Sequence, residues 1–272
     1  MTFEKKIIEY IENNLDFGKT MSEFVFPKQG MSGSVFFVTF KEIGEVAIKY
    51  GNDVNRDLFY LELVKKEIPD FPIPKVFAHF KIEDKYVVVL EKLNGTSFGE
   101  ISVKNLPKYF STVIHTLCNL HKITTQKFEW QKYLLEIFEN RTLDWDEISN
   151  RNHIDKKLVL HTRKKLLEEI RNINLNLFSF SLLHTDFNQS NLLVDENINK
   201  ITGVLDWEEA TFGDPIYDYA RFHLHLWHRG MDQIEINNFL NLLNMDFDGK
   251  KREKLYFSIF LLHYLAYYSE QE

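Results

Sequence analysis

An α+β fold in two lobes, a small β-rich lobe followed by a larger helical one, is what this sequence predicts. Three observations carry that reading. Residues 20–92 alternate short runs rich in Val, Phe and Ile with linkers too short for anything but antiparallel pairing. After Asn94-Gly95 the apolar spacing turns helical. Aromatics make up 15% of the 272 residues, 24 of them Phe, which is ample for a core in one large domain or two joined lobes.

Each element has its own warrant. Ile7, Ile8, Ile11 and Leu15 recur at helical spacing and predict an amphipathic helix over residues 2–16. Glu23–Lys28, Ser34–Phe40 and Glu45–Tyr50 read as strands, separated by Gly-bearing linkers. Asp53 or Asn55 caps a helix running to Lys66, and Pro69, Pro72 and Pro74 end it. Lys75–Lys81 and Lys85–Glu91 add two strands, so a five-stranded antiparallel sheet with one inserted helix is expected. Leu106–His121, with Pro107 in its first turn, then 128–141 and 154–172 read as helices. Phe178–Leu183, Asn191–Val194 and Ile201–Leu205 are short strands around polar loops, and Tyr217–Trp227, Gln233–Leu243 and Lys251–Tyr268 close the chain as helices. The lobes are placed at 1–92 and 93–272, with Glu91–Gly95 as the hinge.

Composition narrows the function. A net charge of −7 disfavours a nucleic-acid partner. The lone Cys118 excludes an internal disulfide and a Cys-based zinc site. No run approaches the roughly 18 apolar residues of a membrane helix, and charges at the N-terminus oppose a signal peptide, so a cytoplasmic chain without a membrane partner is expected. The acidity is uneven. Residues 182–272 hold 15 Asp/Glu against 7 Lys/Arg, a net of −8. A solvated acidic face is the plain reading of this, and a site for cations the sharper one.

One stretch carries chemistry. Leu182-Leu-His-Thr-Asp-Phe-Asn-Gln-Ser-Asn-Leu-Leu-Val194 contains His184, Asp186 and Asn191 as H-x-D-x-x-x-x-N, and Asp206 follows on the end of another apolar run. Phosphoryl transfer needs this set: one carboxylate to orient and deprotonate the attacking hydroxyl, an amide oxygen and a second carboxylate to hold Mg²⁺ on the phosphates. Alone the pattern would arise by chance about 4% of the time, so the flanks and the first lobe must support it. Gly30-Met-Ser-Gly-Ser-Val-Phe36 lies between predicted strands, where backbone N–H groups can cover phosphate oxygens. Val46-Ala-Ile-Lys49 sets a Lys inside an apolar strand, where it needs an acidic partner. By helix register Asp57 is the first choice of partner and Glu62 the second.

These residues together resemble the aminoglycoside phosphotransferase and choline kinase superfamily, small-molecule kinases of protein-kinase-like fold, with the antibiotic-kinase branch nearest. The resemblance rests on Gly30-Met-Ser-Gly-Ser, Phe71-Pro-Ile-Pro-Lys-Val76, Leu120-His121, His184–Asn191 and Leu205-Asp-Trp-Glu…Gly213-Asp-Pro-Ile-Tyr-Asp218, in the family's order. It implies Asp186 as catalytic base and Asn191 and Asp206 as Mg²⁺ ligands. Lys49 would grip the nucleotide phosphates under a loop of Ser32, Gly33 and Ser34, paired to an acid of the following helix, with Asp57 the first choice and Glu62 the second and Asp57 a departure from the family's usual Glu. Backbone groups of Glu91 and Leu93 would meet the purine, and His184 and Asp218 would brace the catalytic loop. ATP or GTP is the implied donor. The implied acceptor is a small, cationic molecule with a hydroxyl, aminoglycoside-like by first choice. Choline, ethanolamine, homoserine, a methylthio-sugar or a macrolide are the alternatives, and a pseudokinase binding module is the reading outside enzymes.

Two other patterns carry less. Gly95-Thr-Ser-Phe-Gly99 matches a nucleophile elbow but lacks the parallel sheet and the immediate helix that an elbow needs. His223, His225 and His228 suggest a metal cluster, yet only His225 and His228 share a helical face and no carboxylate completes the set.

Overall fold

The structure, a computed structural model, describes residues 2–27, 35–140, 155–197 and 199–269. Ser32, Gly33 and Ser34 of the expected phosphate loop lie outside the described residues. The chain divides into two compact units: residues 1–100 with 191–210, and residues 101–190 with 211–272. The lobes expected from sequence are contiguous, whereas these units exchange the segment that carries Asn191 and Asp206.

The first unit is built on a four-stranded antiparallel sheet. Its strands are β1 (Val35–Phe40), β2 (Gly44–Gly51), β3 (Val76–Ile82) and β4 (Lys85–Glu91), in the order β1-β2-β4-β3. Period-2 alternation sends Phe36, Val38 and Phe40 of β1 and Val46, Ile48 and Tyr50 of β2 to one face. Helix α1 (Phe3–Asn14), capped by the Thr2 hydroxyl, buries Ile7 and Ile11 in the same cluster. The opposite register of β2 carries Lys49. Helix α2 (Val54–Glu67) buries Asp57, Tyr60, Leu61 and Val64.

The expected fifth strand, Glu23–Lys28, is not a strand over its described residues, 23–27, and Lys28 lies outside them. Val25 and Phe37 exchange both backbone hydrogen bonds, at 2.9 and 2.8 Å, but this is an isolated bridge. Two local causes stop the ladder. The Ser22 hydroxyl accepts from the Thr39 N–H, and Pro27 has no N–H to give.

A second sheet in this unit joins β5 (Thr96–Ser97), β8 (Leu192–Asp195) and β9 (Lys200–Val204), antiparallel throughout. Gly203 sits at a close approach, because a Cβ there would lie 3.0 Å from methyl carbons of Leu93 and Leu193, which would have to shift.

The second unit is mainly helical. A 3₁₀ turn over Val103–Tyr109 leads into α3 (Phe110–Leu120), so the helix expected from Leu106 opens in the tighter winding around Pro107. There follow α4 (Trp130–Asn140), α5 (Lys156–Arg171), α6 (Ile216–His228), α7 (Gln233–Leu242) and α8 (Phe247–Ser269). A small sheet of β6 (Thr124–Thr125), β7 (Phe180–Leu183) and β10 (Thr211–Gly213) runs in the order β10-β7-β6. Its core gathers Trp130, Phe138, Ile170, Tyr217, Tyr256 and Ile259. A buried polar chain crosses it: Trp130 Nε1–H donates to Tyr256 Oη at 3.0 Å, and Tyr256 donates to Asp214 at 2.9 Å. Arg252 bonds the same Asp214 oxygen at 2.6 Å. Among the described residues no helix is long and apolar enough to cross a membrane.

Candidate active site

Lys49 is a buried cation on β2. It is only 7% exposed, so its charge must be answered locally. Three carboxylates answer it: Asp206 at 2.6 Å, Glu208 at 3.0 Å and Asp57 at 3.7 Å. Burial alone would lower the Lys49 pKa, but the charges of Asp57 and Asp206, with Glu208 behind them, raise it above the usual lysine value. Glu208 moves the other way from most carboxylates. Burial raises it most, and the Lys49 charge and hydrogen bond pull it back without cancelling the rise, to which repulsion from Asp206 and Asp57 adds. Glu62, the second candidate partner of Lys49, lies exposed on α2.

Asp57 has a second task. Its Oδ1 accepts the backbone N–H of Trp207 at 2.6 Å, so one buried side chain ties α2 both to Lys49 and to the residue after Asp206. Asp206 itself has φ +67, in the left-handed region. Asn191 precedes β8 and Asp206 follows β9, and these strands are antiparallel neighbours. The two residues therefore stand at the same end of one hairpin. The bond from the Leu205 N–H to the Asn191 carbonyl, 2.8 Å, closes that end. Glu91 ends β4 with its N–H bonded to the Lys75 carbonyl at 2.8 Å.

Asp186 lies in the second unit, on the loop after β7. Asp218, near the start of α6, holds this loop by its backbone. Its Oδ2 accepts from the His184 N–H at 3.1 Å and its Oδ1 from the Thr185 N–H at 2.8 Å. His121 Nε2 lies 3.0 Å from the same Oδ2. Thr185 is held at φ +63, a strained value for a β-branched residue, immediately before Asp186. The Asp186 carboxylate meets Arg221 of α6, with Nη2 at 2.7 Å and Nε at 3.2 Å from Oδ1. Burial raises its pKa, but the Arg221 charge and hydrogen bonds, aided by Asn188 and His184, hold it below the usual carboxylate value.

Two residues of this geometry escaped the sequence reading. Arg221 sits in no quoted motif. Its signal is helical spacing, three residues after Asp218 on the same face of α6. Glu208 ends the quoted Leu205-Asp-Trp-Glu run without a role of its own, and the structure pairs it with Lys49. Other acids of the last third are also engaged inside the fold. Asp214 pairs with Arg252, and Glu253 with His223 at 2.7 Å. Asp232 caps α7.

The donor set suits a hard cation. Asp206 offers a carboxylate and Asn191 an amide oxygen, and Mg²⁺ takes one or two carboxylates and completes its shell with phosphate oxygens and water. Among the described residues no group of three or more His, Cys, Asp or Glu forms a metal cage of its own.

Comparison with known proteins bears on the family and the fold. Human acyl-CoA dehydrogenase family member 11 is 25% identical over 184 residues, 62% of this chain. The match covers 23% of that relative, so the chain spans about a quarter of its length. Hygromycin-B 4-O-kinase of Escherichia coli is 43% identical over 53 residues, 19% of this chain and 15% of the relative. Among solved structures, a thermostable mutant of aminoglycoside phosphotransferase APH(4)-Ia, in ternary complex with AMP-PNP and hygromycin B, superposes with a TM-score of 0.70. It is 18% identical, with 96% of this chain and 89% of that one covered. Aminoglycoside phosphotransferase APH(3'')-Id from Streptomyces rimosus, in complex with ADP and streptomycin, gives 0.63 at 13% identity, with 97% and 99% covered. A sequence profile described as the phosphotransferase enzyme family matches residues 32–253, from the expected phosphate loop to beyond α7. With most of its length matched in this way, the chain belongs to the phosphotransferase enzyme family and carries the fold of its aminoglycoside kinases.

Proposed function

We propose that this chain transfers the γ-phosphoryl group of ATP or GTP to a hydroxyl of a small molecule, with an aminoglycoside-like acceptor as first choice. The observation that carries the reading is the buried Lys49 joined to Asp206 at 2.6 Å, inside the family-matched region. A buried ammonium between carboxylates suits a polyphosphate, whose oxygens take over part of the charge balance that Asp206 and Glu208 supply when no nucleotide is bound. Asp206 and Asn191 would hold Mg²⁺, which when bound neutralises charge developing on the β- and γ-phosphates. Backbone groups of Glu91 and Leu93 would take the purine edge, and Ser32, Gly33 and Ser34 would cover the phosphates.

Asp186 accepts a hydrogen bond from the acceptor hydroxyl and orients it in line with the γ-phosphorus. The new P–O bond forms as the bond to the β-phosphate bridging oxygen breaks, and the hydroxyl proton passes to the Asp186 carboxylate. Aminoglycosides come first because the proteins of this fold named above are captured with hygromycin B and with streptomycin. The charge argument for a cationic acceptor is narrower than the −8 of residues 182–272 suggests, since Asp206, Glu208, Asp214, Asp218 and Glu253 all have partners inside the fold. The test is a screen of aminoglycosides, choline, ethanolamine, homoserine, methylthio-sugars and macrolides with each nucleotide and Mg²⁺, read by mass for one added phosphoryl group.

A further inference from the structure

Helix α6 grips the Asp186 loop twice. Asp218 takes the backbone N–H groups of His184 and Thr185, and one turn later Arg221 takes the Asp186 side chain. Both Arg221 bonds end on one oxygen, Oδ1, at 2.7 and 3.2 Å, so the contact pins that oxygen against the guanidinium and answers the charge of the carboxylate. The guanidinium is itself seated, 5.3 Å from the centroid of Phe260 on α8. Backbone and side chain of the loop are thus fixed by the same helical face, through Asp218 and Arg221 at i and i+3.

We infer that Arg221 is a positioning residue for the reaction: it orients Asp186 toward the acceptor hydroxyl and keeps it ionised. This rests on the proposed role of Asp186. The contact has a cost, since a carboxylate held ionised by an arginine is a weaker base. That cost is tolerable where the transition state is loose and the proton leaves late, because the carboxylate then acts mainly by orienting the nucleophile. The groups facing Asp186 are Arg221 and His225 on α6 and His184 and Asn188 on its own loop. His225 does not compete for the role. Burial first, then the charge of Arg221, lowers its pKa to about 3, so it stays neutral where the enzyme would work.

The experiment uses the full chain as wild type, Arg221→Met and Arg221→Lys. Arg221→Met keeps a stem over Phe260 and removes the charge. The Asp186 carboxyl is titrated by ¹³C NMR, and kcat, the nucleotide KM and the pH profile are measured on the acceptor found by screening. Arg221→Met is expected to lower kcat by about 10- to 100-fold with the nucleotide KM within about twofold. It should also move both the Asp186 titration and the acid limb of kcat upward. Arg221→Lys should keep the low titration while recovering only part of kcat, because it keeps the charge and loses the two-bond grip. An unmoved titration in Arg221→Met, with the far-UV and near-UV circular dichroism of wild type, overturns the inference, as does an unchanged kcat. If wild type phosphorylates no acceptor, the proposed function fails while the titration still decides whether Arg221 holds Asp186 ionised.

Discussion

Asp186 and Asp206 are both carboxylates, but their surroundings differ. Asp206 faces the buried Lys49 beside a second acid, Glu208, whereas Asp186 faces Arg221 on α6. The division suits one group that binds metal and phosphate and another that handles the acceptor. Asp186→Asn is therefore expected to lose about 10²- to 10⁴-fold in transfer while binding nucleotide as wild type does. Stopped-turnover assays beside nucleotide titration check both halves, and near-normal turnover would remove Asp186 from the chemistry. The pH dependence follows from the lowered Asp186 carboxyl. Its active, ionised form persists as pH falls until below the usual carboxylate range, so the acid limb of kcat should lie lower than for an unpaired aspartate. For the metal ligands, Asp206→Ala should abolish Mg²⁺-dependent nucleotide binding and Asn191→Ala should weaken it less, because a charged oxygen counts for more than an amide toward a hard cation. Calorimetric titration with and without Mg²⁺ separates them. Equal affinity in Asp206→Ala and wild type would place the metal elsewhere.

At the scale of elements, one side chain of α2 serves two partners. Asp57, 2% exposed, serves both the Lys49 ammonium and the Trp207 N–H. Asp57→Ala leaves that N–H buried without its partner, at a cost of about 1–3 kcal/mol in stability. Urea unfolding measures it, and an unchanged midpoint would mean that the loop re-pairs. In the second unit, β10 ends at Gly213, where a Cβ would collide with the Trp130 ring. Gly213→Ala should destabilise by about 1–3 kcal/mol through overpacking, again read from the unfolding midpoint. Legibility differed among elements for related reasons. In β1 buried residues strictly alternate with half-buried ones, and α2 carries a stripe at helical spacing, so both were readable. The strands β5, β6 and β10 have only two or three residues and no period to read. Glu23–Lys28 has the composition of a strand but lacks the donors and free backbone to complete a ladder. Of the candidate metal ligands, what the sequence let one read is adjacency: one hairpin brings Asn191 and Asp206 to the same end. Arg221 was not legible, because its partner lies 35 residues away in sequence.

For the whole molecule, the matches in sequence and fold settle the family and leave the acceptor to be decided by chemistry. Net charge is −7, with the excess in the last third, but the internal pairing of several of those acids leaves less field to steer a cation. A polyamine sugar is therefore expected to exceed a neutral sugar in kcat/KM by about tenfold, the low end of the range for electrostatic steering. The advantage should shrink between low and high salt as the Debye length falls to about 8 Å. A neutral acceptor that wins at both salts would reduce the acidic third to a solvated surface. The central claim, however, is phosphoryl transfer itself. Its most direct test is incubation of wild type and Asp186→Asn with nucleotide, Mg²⁺ and the acceptor panel, with mass detection of the acceptors. Wild type is expected to add one phosphoryl group to at least one hydroxyl-bearing acceptor, and Asp186→Asn to add none on the same timescale. Transfer of equal extent by both proteins, or nucleotide binding with no acceptor modified by either, would contradict the claim.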